Sequence, residues 1–237
     1  MELVALLIGA YFLGSVPVGV LVVRAHGKNI FEIGSGNIGA TNVKRAIGTR
    51  GAVLVFLLDL LKGLAPALVA RNLFPERQEL WMAAGFAAVI GHTFSPFLKF
   101  KGGKGVSTAL GMAIGSTPLV ALIAFALFIV TLQVFRFVSL SSIIAVISTI
   151  PLCLALNQSP WVSVGYGFLT VYIIFKHRSN IARLRDGTES KFSWRSKPTD
   201  DDPGDGGQSL AVAVSPKPPS SAPGERKNLP SGDDLAS

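Results

Sequence analysis

Ile33-Gly34-Ser35-Gly36-Asn37-Ile38-Gly39-Ala40-Thr41-Asn42 contains GSGNIG, a formal match to the dinucleotide fingerprint G-x-G-x-x-G. What flanks this stretch decides the fold. A Rossmann loop follows a strand, opens a helix and has an acidic residue about 20 positions on. Here an apolar run (2–23) and a polar hairpin precede it. Asp59 lies 20 positions past Gly39, but inside a second apolar run (51–70). No βαβ pattern appears in the chain. The stretch reads as a glycine- and amide-rich loop between membrane spans, not a nucleotide site.

The composition agrees. Of 237 residues, 49% are hydrophobic and only 15% charged, against about 25% charged in soluble domains. Mean hydropathy is +0.50. The expected fold is an all-α integral membrane protein. Residues 2–23 read as a span and not a signal peptide, because Glu2 precedes the run and no basic segment does. Further spans are expected at 80–98, 118–135 and 137–156, with shorter apolar segments at 106–116 and 161–175. The single cysteine, Cys153, lies in an apolar run, which excludes a disulfide framework or a cysteine zinc site. No carboxylate pair has metal-ligand spacing, so neither a metal nor a cofactor is expected.

The net charge of +8 is unevenly placed. Residues 198–237 carry three basic and seven acidic groups, which leaves the rest at +12. The basic residues sit in short loops between apolar runs. That is a positive-inside pattern, and it does not read as a nucleic-acid surface. If the three basic loops share the cytoplasmic face, residues 106–175 cross an even number of times. Four crossings there give about seven transmembrane helices, some short, with the N-terminus outside and the C-terminus cytoplasmic. Residues 106–116 would reach only ~16 Å across a core of ~30 Å, so this helix must end in protein or water. Five full spans plus re-entrant pieces is the alternative. The chain divides into a membrane body, 1–191, and a cytoplasmic tail, 192–237. From Pro198 the tail holds half of the prolines and no aromatic residue, and it reads as disordered.

Three polar loops carry the chemistry. In the first, Gly34, Gly36 and Gly39 permit close backbone approach. Ser35, Asn37, Thr41 and Asn42 add neutral donors, and Lys44 and Arg45 add positive charge. In the second, Gly102-Gly103-Lys104-Gly105 precedes a helix, an arrangement suited to anions. It is not a P-loop, because GK[ST] does not follow at the required spacing. The third offers Lys176, His177, Arg178, Asn180, Arg183 and Arg185. In a helix, His177 and Asn180 would share a face. Loops of this kind on one side of the membrane point to a phosphate-containing substrate. A buried Asp59–Lys62 pair in the second span would brace them. No H-x-x-x-x-D dyad and no G-x-S-x-G elbow occur.

SGNIGATN, DLLKG, GHTFSPFLKFKGGKGVST and KHRSNIARLRDGTE together resemble the bacterial acyl-phosphate:glycerol-3-phosphate acyltransferase family, PlsY. The resemblance runs from residue 8 to about 191. It implies a seven-helix inner-membrane enzyme with its site on the cytoplasmic side. The implied reaction moves a fatty acyl group from acyl phosphate to the 1-hydroxyl of sn-glycerol 3-phosphate. The products are 1-acylglycerol 3-phosphate and phosphate, in the first step of phospholipid synthesis. The implied partners are these two substrates and membrane lipid, with no nucleic acid and no obligate protein partner. Carried over by motif, Ser35, His177 and Asn180 would act at the reacting groups. Asn37, Thr41, Asn42, Arg45, Gly102, Gly103, Lys104 and Gly105 would bind phosphates. His92 would either brace the second loop or take part in catalysis. The proton acceptor would be His177 or the substrate's own phosphate. The rival reading is a membrane transporter of an organic phosphate anion. It should show inverted repeats and midplane polar groups. The sequence shows no repeat, and its polar groups cluster at one face.

Overall fold

A long apolar segment in lipid must satisfy its own backbone hydrogen bonds, and a helix does so within one segment. The computed structural model accordingly builds every apolar run as helix; it describes residues 1–193. The α-helices are α1 (Glu2–Ser15), α2 (Val18–Ala25), α3 (Ala40–Leu73), α4 (Gln78–Thr93), α5 (Val106–Ser116), α6 (Pro118–Phe135), α7 (Val138–Ala155), α8 (Pro160–Lys176) and α9 (Arg178–Arg185). Two 3₁₀ turns, Ile30–Glu32 and Pro96–Leu98, lie in the first two loops. Five segments are long and apolar enough to cross a membrane: Glu2–Ala25, Ala40–Leu73, Gln78–Leu98, Pro118–Phe135 and Val138–Ala155. The protein is an all-helical integral membrane protein.

Two boundaries differ from the sequence reading. The first run breaks at Val16–Pro17, where proline cannot continue the hydrogen-bond ladder. The first polar loop is shorter than expected, because α3 begins at Ala40 and carries Thr41, Asn42 and Arg45 on its opening turns. The polar character of 40–50 hid this helix. Gly48, at φ 85°, kinks α3 before its apolar part, and Pro66 lies farther along it. The disordered-tail reading falls on residues outside those described, apart from Phe192 and Ser193. Those two are held: Phe192 N donates to Arg136 O at 2.6 Å, Lys44 Nζ donates to Ser193 O, and Lys44 lies over the Phe192 ring.

Lipid offers no hydrophobic drive between helices, so small residues and close backbone approach hold them together. A Cβ on Gly63 of α3 would sit 1.9 Å from Thr108 O of α5, and one on Gly111 of α5 would sit 1.9 Å from Leu60 O of α3. The α1–α4 contact is the same kind, at Gly14 against Ala88 and Gly91 against Tyr11. Around Met112, Val146, Tyr166 and Leu169 a second core joins α4 to α8. Large apolar side chains such as Leu57, Leu122, Val134, Phe168 and Val171 are exposed on the perimeter, as lipid contact requires.

Candidate active site

The first loop is shaped by Asn42. Its amide donates to Ile30 O (3.2 Å) and Ile33 O (2.9 Å), and its Oδ1 accepts from Ser35 N (3.2 Å). Both amide hydrogens are thus spent inside the loop, and the side chain is 2% exposed. Asn42 builds the site and has no donor left for a phosphate. Asn37 Oδ1 accepts from Gly39 N (2.9 Å), which fixes the turn into α3. Gly34 and Gly36 adopt left-handed φ of 52° and 64°. A Cβ on Gly34 would also meet the Arg45 side chain at 2.9 Å, so this glycine lets Arg45 lie across the loop. Ser35 and Thr41 are exposed at its surface.

The second loop is gripped from below. Gly102 N donates to Thr93 O (3.0 Å) and Gly103 N to His92 O (3.2 Å). These amides therefore face the end of α4, so the phosphate-cradling role expected of them does not fit their hydrogen bonding. A Cβ on Gly103 would lie 2.2 Å from His92 Nε2. Glycine is needed there because the imidazole packs directly against it. Gly105, at φ 79°, turns the chain into α5, whose first amides have no partner within the helix. His92 Nδ1 is 3.6 Å from Asp59 Oδ1, and Lys62 Nζ is 2.7 Å from the same oxygen. Lys62 also donates to Val16 O at 2.5 Å. Asp59, Lys62 and His92 form one buried brace joining the end of α1, the middle of α3 and the end of α4. The structure places His92 in this brace.

The third segment meets the second at Lys104. Lys104 Nζ donates to Asn180 Oδ1 (2.5 Å), and Asn180 Nδ2 donates to Glu189 Oε1 (2.6 Å). Ser139 Oγ donates to the same carboxylate oxygen (2.5 Å), and Arg183 Nε to the other (2.7 Å). Three donors hold Glu189 below the usual carboxylate range although burial opposes this. Burial pushes Lys104 down to about 8; Glu189 opposes that shift, and Arg183, Arg45 and Lys176 add to it. Those charges come from all three polar segments, so the segments converge around Lys104.

His177 sits at the junction of α8 and α9 and is 2% exposed. Its Nδ1 is 2.8 Å from Ile173 O. A carbonyl oxygen only accepts, so Nδ1 carries the hydrogen and Nε2 keeps its lone pair. Burial first and Lys104 second push His177 down to about 4. The ring is neutral at physiological pH.

Glu189 and Ser139 were not singled out by sequence reasoning. Glu189 ends the third motif, and that position was its only signal. Ser139 opens an apolar helix and gave none. Lys44, a candidate site charge by sequence, instead holds Phe192 and Ser193 in the fold.

The comparisons with known proteins fit this arrangement. The sequence model of the family Glycerol-3-phosphate acyltransferase matches residues 4–187. A Glycerol-3-phosphate acyltransferase of Geotalea daltonii is 49% identical over 191 residues, 80% of this chain and 97% of the relative. One of Aquifex aeolicus is 41% identical over 192 residues, 81% of this chain and all of the relative. Two crystal structures of PlsY, an integral membrane glycerol 3-phosphate acyltransferase, superpose at 40% identity, each covering 81% of this chain and 96% of its own. The glycerol 3-phosphate form has a TM-score of 0.79 and the lysophosphatidic acid form 0.77. With three polar segments gathered on a lysine and relatives matched almost from end to end, the chain belongs to the glycerol-3-phosphate acyltransferase family.

Proposed function

We propose that this glycerol-3-phosphate acyltransferase uses acyl phosphate as its donor and acylates the 1-hydroxyl of sn-glycerol 3-phosphate. The observation that carries the reading is the Lys104–Asn180 hydrogen bond, with Asn180 and Arg183 on the Glu189 carboxylate and a buried His177 three residues before Asn180. Such a site suits two phosphate-bearing substrates and a proton transfer between them. The relatives solved in glycerol 3-phosphate and lysophosphatidic acid forms support the acceptor and the product.

The chemistry asks mainly for positioning. The hydroxyl oxygen attacks the acyl carbonyl carbon, the bond from that carbon to the phosphate oxygen breaks, and phosphate leaves. Acyl phosphate is an activated mixed anhydride, so alignment and charge stabilisation carry the rate. The proton goes to a phosphate oxygen of glycerol 3-phosphate. A phosphate monoester with a second pKa of about 6 is a stronger base than an imidazole held near 4. His177 Nε2 and Asn180 orient the hydroxyl. Ser35, Asn37, Thr41, Arg45 and Lys104 hold the phosphates, with Asn42, Gly102, Gly103 and Gly105 shaping the loops that carry them. Asp59, Lys62 and His92 support the second loop.

The catalytic unit is residues 1–191, in the inner membrane of a bacterium. Seven crossings put the site on the cytoplasmic side, the N-terminus outside and the tail, 192–237, inside. The test is to supply purified protein with glycerol 3-phosphate and, in parallel, acyl phosphate, acyl-CoA or acyl carrier protein. Lysophosphatidic acid and phosphate should appear with acyl phosphate alone. Turnover only with a thioester donor would sink the assignment of the donor.

A further inference from the structure

The chain continues past α9. Gly187, at φ 71°, reverses it, and the amides of Thr188 and Glu189 both donate to Arg183 O, at 2.8 and 3.2 Å. Residues 188–193 then form a strap beside the corner between α6 and α7. Glu189 accepts from the Ser139 hydroxyl, and three residues on Phe192 N donates to Arg136 O at 2.6 Å. These contacts pair 189 with 139 and 192 with 136, so strap and corner run antiparallel. Arg136 is itself at a left-handed φ of 62°. Residues with a side chain disfavour that conformation, and the strap holds its carbonyl.

The far end of the strap is tied to α3. Lys44 is 8% exposed, and a buried ammonium is costly unless partners replace its water. It donates to Ser193 O, and its Nζ lies 4.1 Å from the centroid of the Phe192 ring, a cation–π contact. Lys44 directly precedes Arg45, whose side chain lies across the first loop at Gly34. The strap therefore joins the first polar segment to the third by way of the corner where α7 begins.

Its effect on the site passes through Glu189. That carboxylate accepts from Asn180 Nδ2, which fixes the Asn180 amide with Oδ1 toward Lys104. We propose that Lys44 and Phe192 are positioning residues for the acyl transfer: by anchoring the strap they keep Glu189 on Asn180, and so keep Lys104 in place for the substrate phosphate. The inference rests on Lys104 holding that phosphate. The working unit then runs to Ser193, two residues past the body that carries the motifs. Burial lowers the Lys104 pKa most; Glu189 raises it, and Arg183, Arg45 and Lys176 lower it, with neutral His177 alongside. A strap that comes loose withdraws Glu189, the one carboxylate in that set, and the ammonium then loses its proton at lower pH.

The test measures kcat/KM, and the KM for glycerol 3-phosphate across neutral and alkaline pH, on full-length protein. Lys44→Met and Phe192→Ala should each lower kcat/KM about tenfold, the cost of a loosened reacting centre. The double variant should fall no further, because both changes break one anchor. In each, the alkaline rise in KM should begin about half a pH unit lower or more. Lys44→Arg and Phe192→Tyr keep the cation and the ring and should restore both readouts. Unfolding temperature reports folding; where Lys44→Met does not fold, Phe192→Leu keeps the bulk, loses the ring face and carries the same readouts. Near-wild-type kcat/KM in the variants, strictly additive losses, or a loss with the alkaline limb unmoved overturns the inference. A wild-type KM with no alkaline limb overturns the phosphate role of Lys104 instead, and the additivity of the two losses then decides the strap by itself.

Discussion

Lys104 is the residue on which the site turns. Its hydrogen bond to Asn180 and its three cationic neighbours make it the meeting point of segments far apart in the chain. Replacing it with alanine should lower kcat/KM by at least two orders of magnitude, because a charge-assisted phosphate contact inside a partly dry site is worth several kcal/mol. Its depressed pKa, about 8, has a pH signature. As pH rises through 8 the ammonium loses its proton, and in the role proposed for it Lys104 then loses its attraction for phosphate. The KM for glycerol 3-phosphate should therefore climb above pH 8. In Lys104→Arg, whatever activity remains should lack that alkaline limb, since a guanidinium keeps its charge there. A wild-type KM flat to pH 10 would show that Lys104 does not hold the phosphate. His177 works in the other direction. With its pKa near 4 it stays neutral as pH falls through 6, so it should produce no acid limb in that range.

At the scale of elements, the loop that carries Lys104 is positioned by a histidine packed beneath a glycine. A methyl group on Gly103 would meet His92 Nε2 at 2.2 Å, so the ring or the loop must move. Gly103→Ala should lower kcat/KM at least tenfold while the protein still inserts and unfolds at nearly the wild-type temperature. An ångström of displacement at a reacting centre costs this much. The loss should be smaller in a His92→Ala background, where the clash is gone. A double-mutant cycle measures the difference, and strictly additive losses would show that the two residues do not act through this contact. The sequence marked both residues as one motif, GHTFSPFLKFKGGKG, yet ten residues separate His92 from Gly103. Their stacking is a property of the fold, because the Gly102 and Gly103 amides bond back to the end of α4. The same fact redirected those amides from substrate to scaffold.

For the molecule as a whole, helix order sorts the connections into two ends. Gly36, Gly103 and Gly187 lie with the polar site, and the α3–α4 turn at Arg77 and the α7–α8 turn at Asn157 lie at the far ends of those helices. Single cysteines placed at Gly187 and at Arg77 in a Cys153→Ala background should therefore label from opposite sides of intact cells. An impermeant thiol reagent should reach position 77 directly and position 187 only after permeabilisation. Direct labelling of both positions from outside would overturn the seven-crossing topology.

The sequence alone determined that the chain is a helical membrane protein, because apolar run length and loop charge are local properties that a bilayer reads segment by segment. It also marked the three polar segments, including Lys104 and Asn180, which the fold joins by a hydrogen bond. It did not reveal the helix under Thr41–Arg50, whose polarity disguised it, nor the work of Asn42, whose donors look free until the loop closes on them. Tertiary structure decided what converges. Lys104 meets Asn180 across 76 residues, and Glu189 draws Ser139, Asn180 and Arg183 onto one carboxylate. These contacts exist because the starts of α5 and α7 and the end of α8 meet, and that meeting depends on how the helices pack on one another. No residue pattern within one segment encodes it.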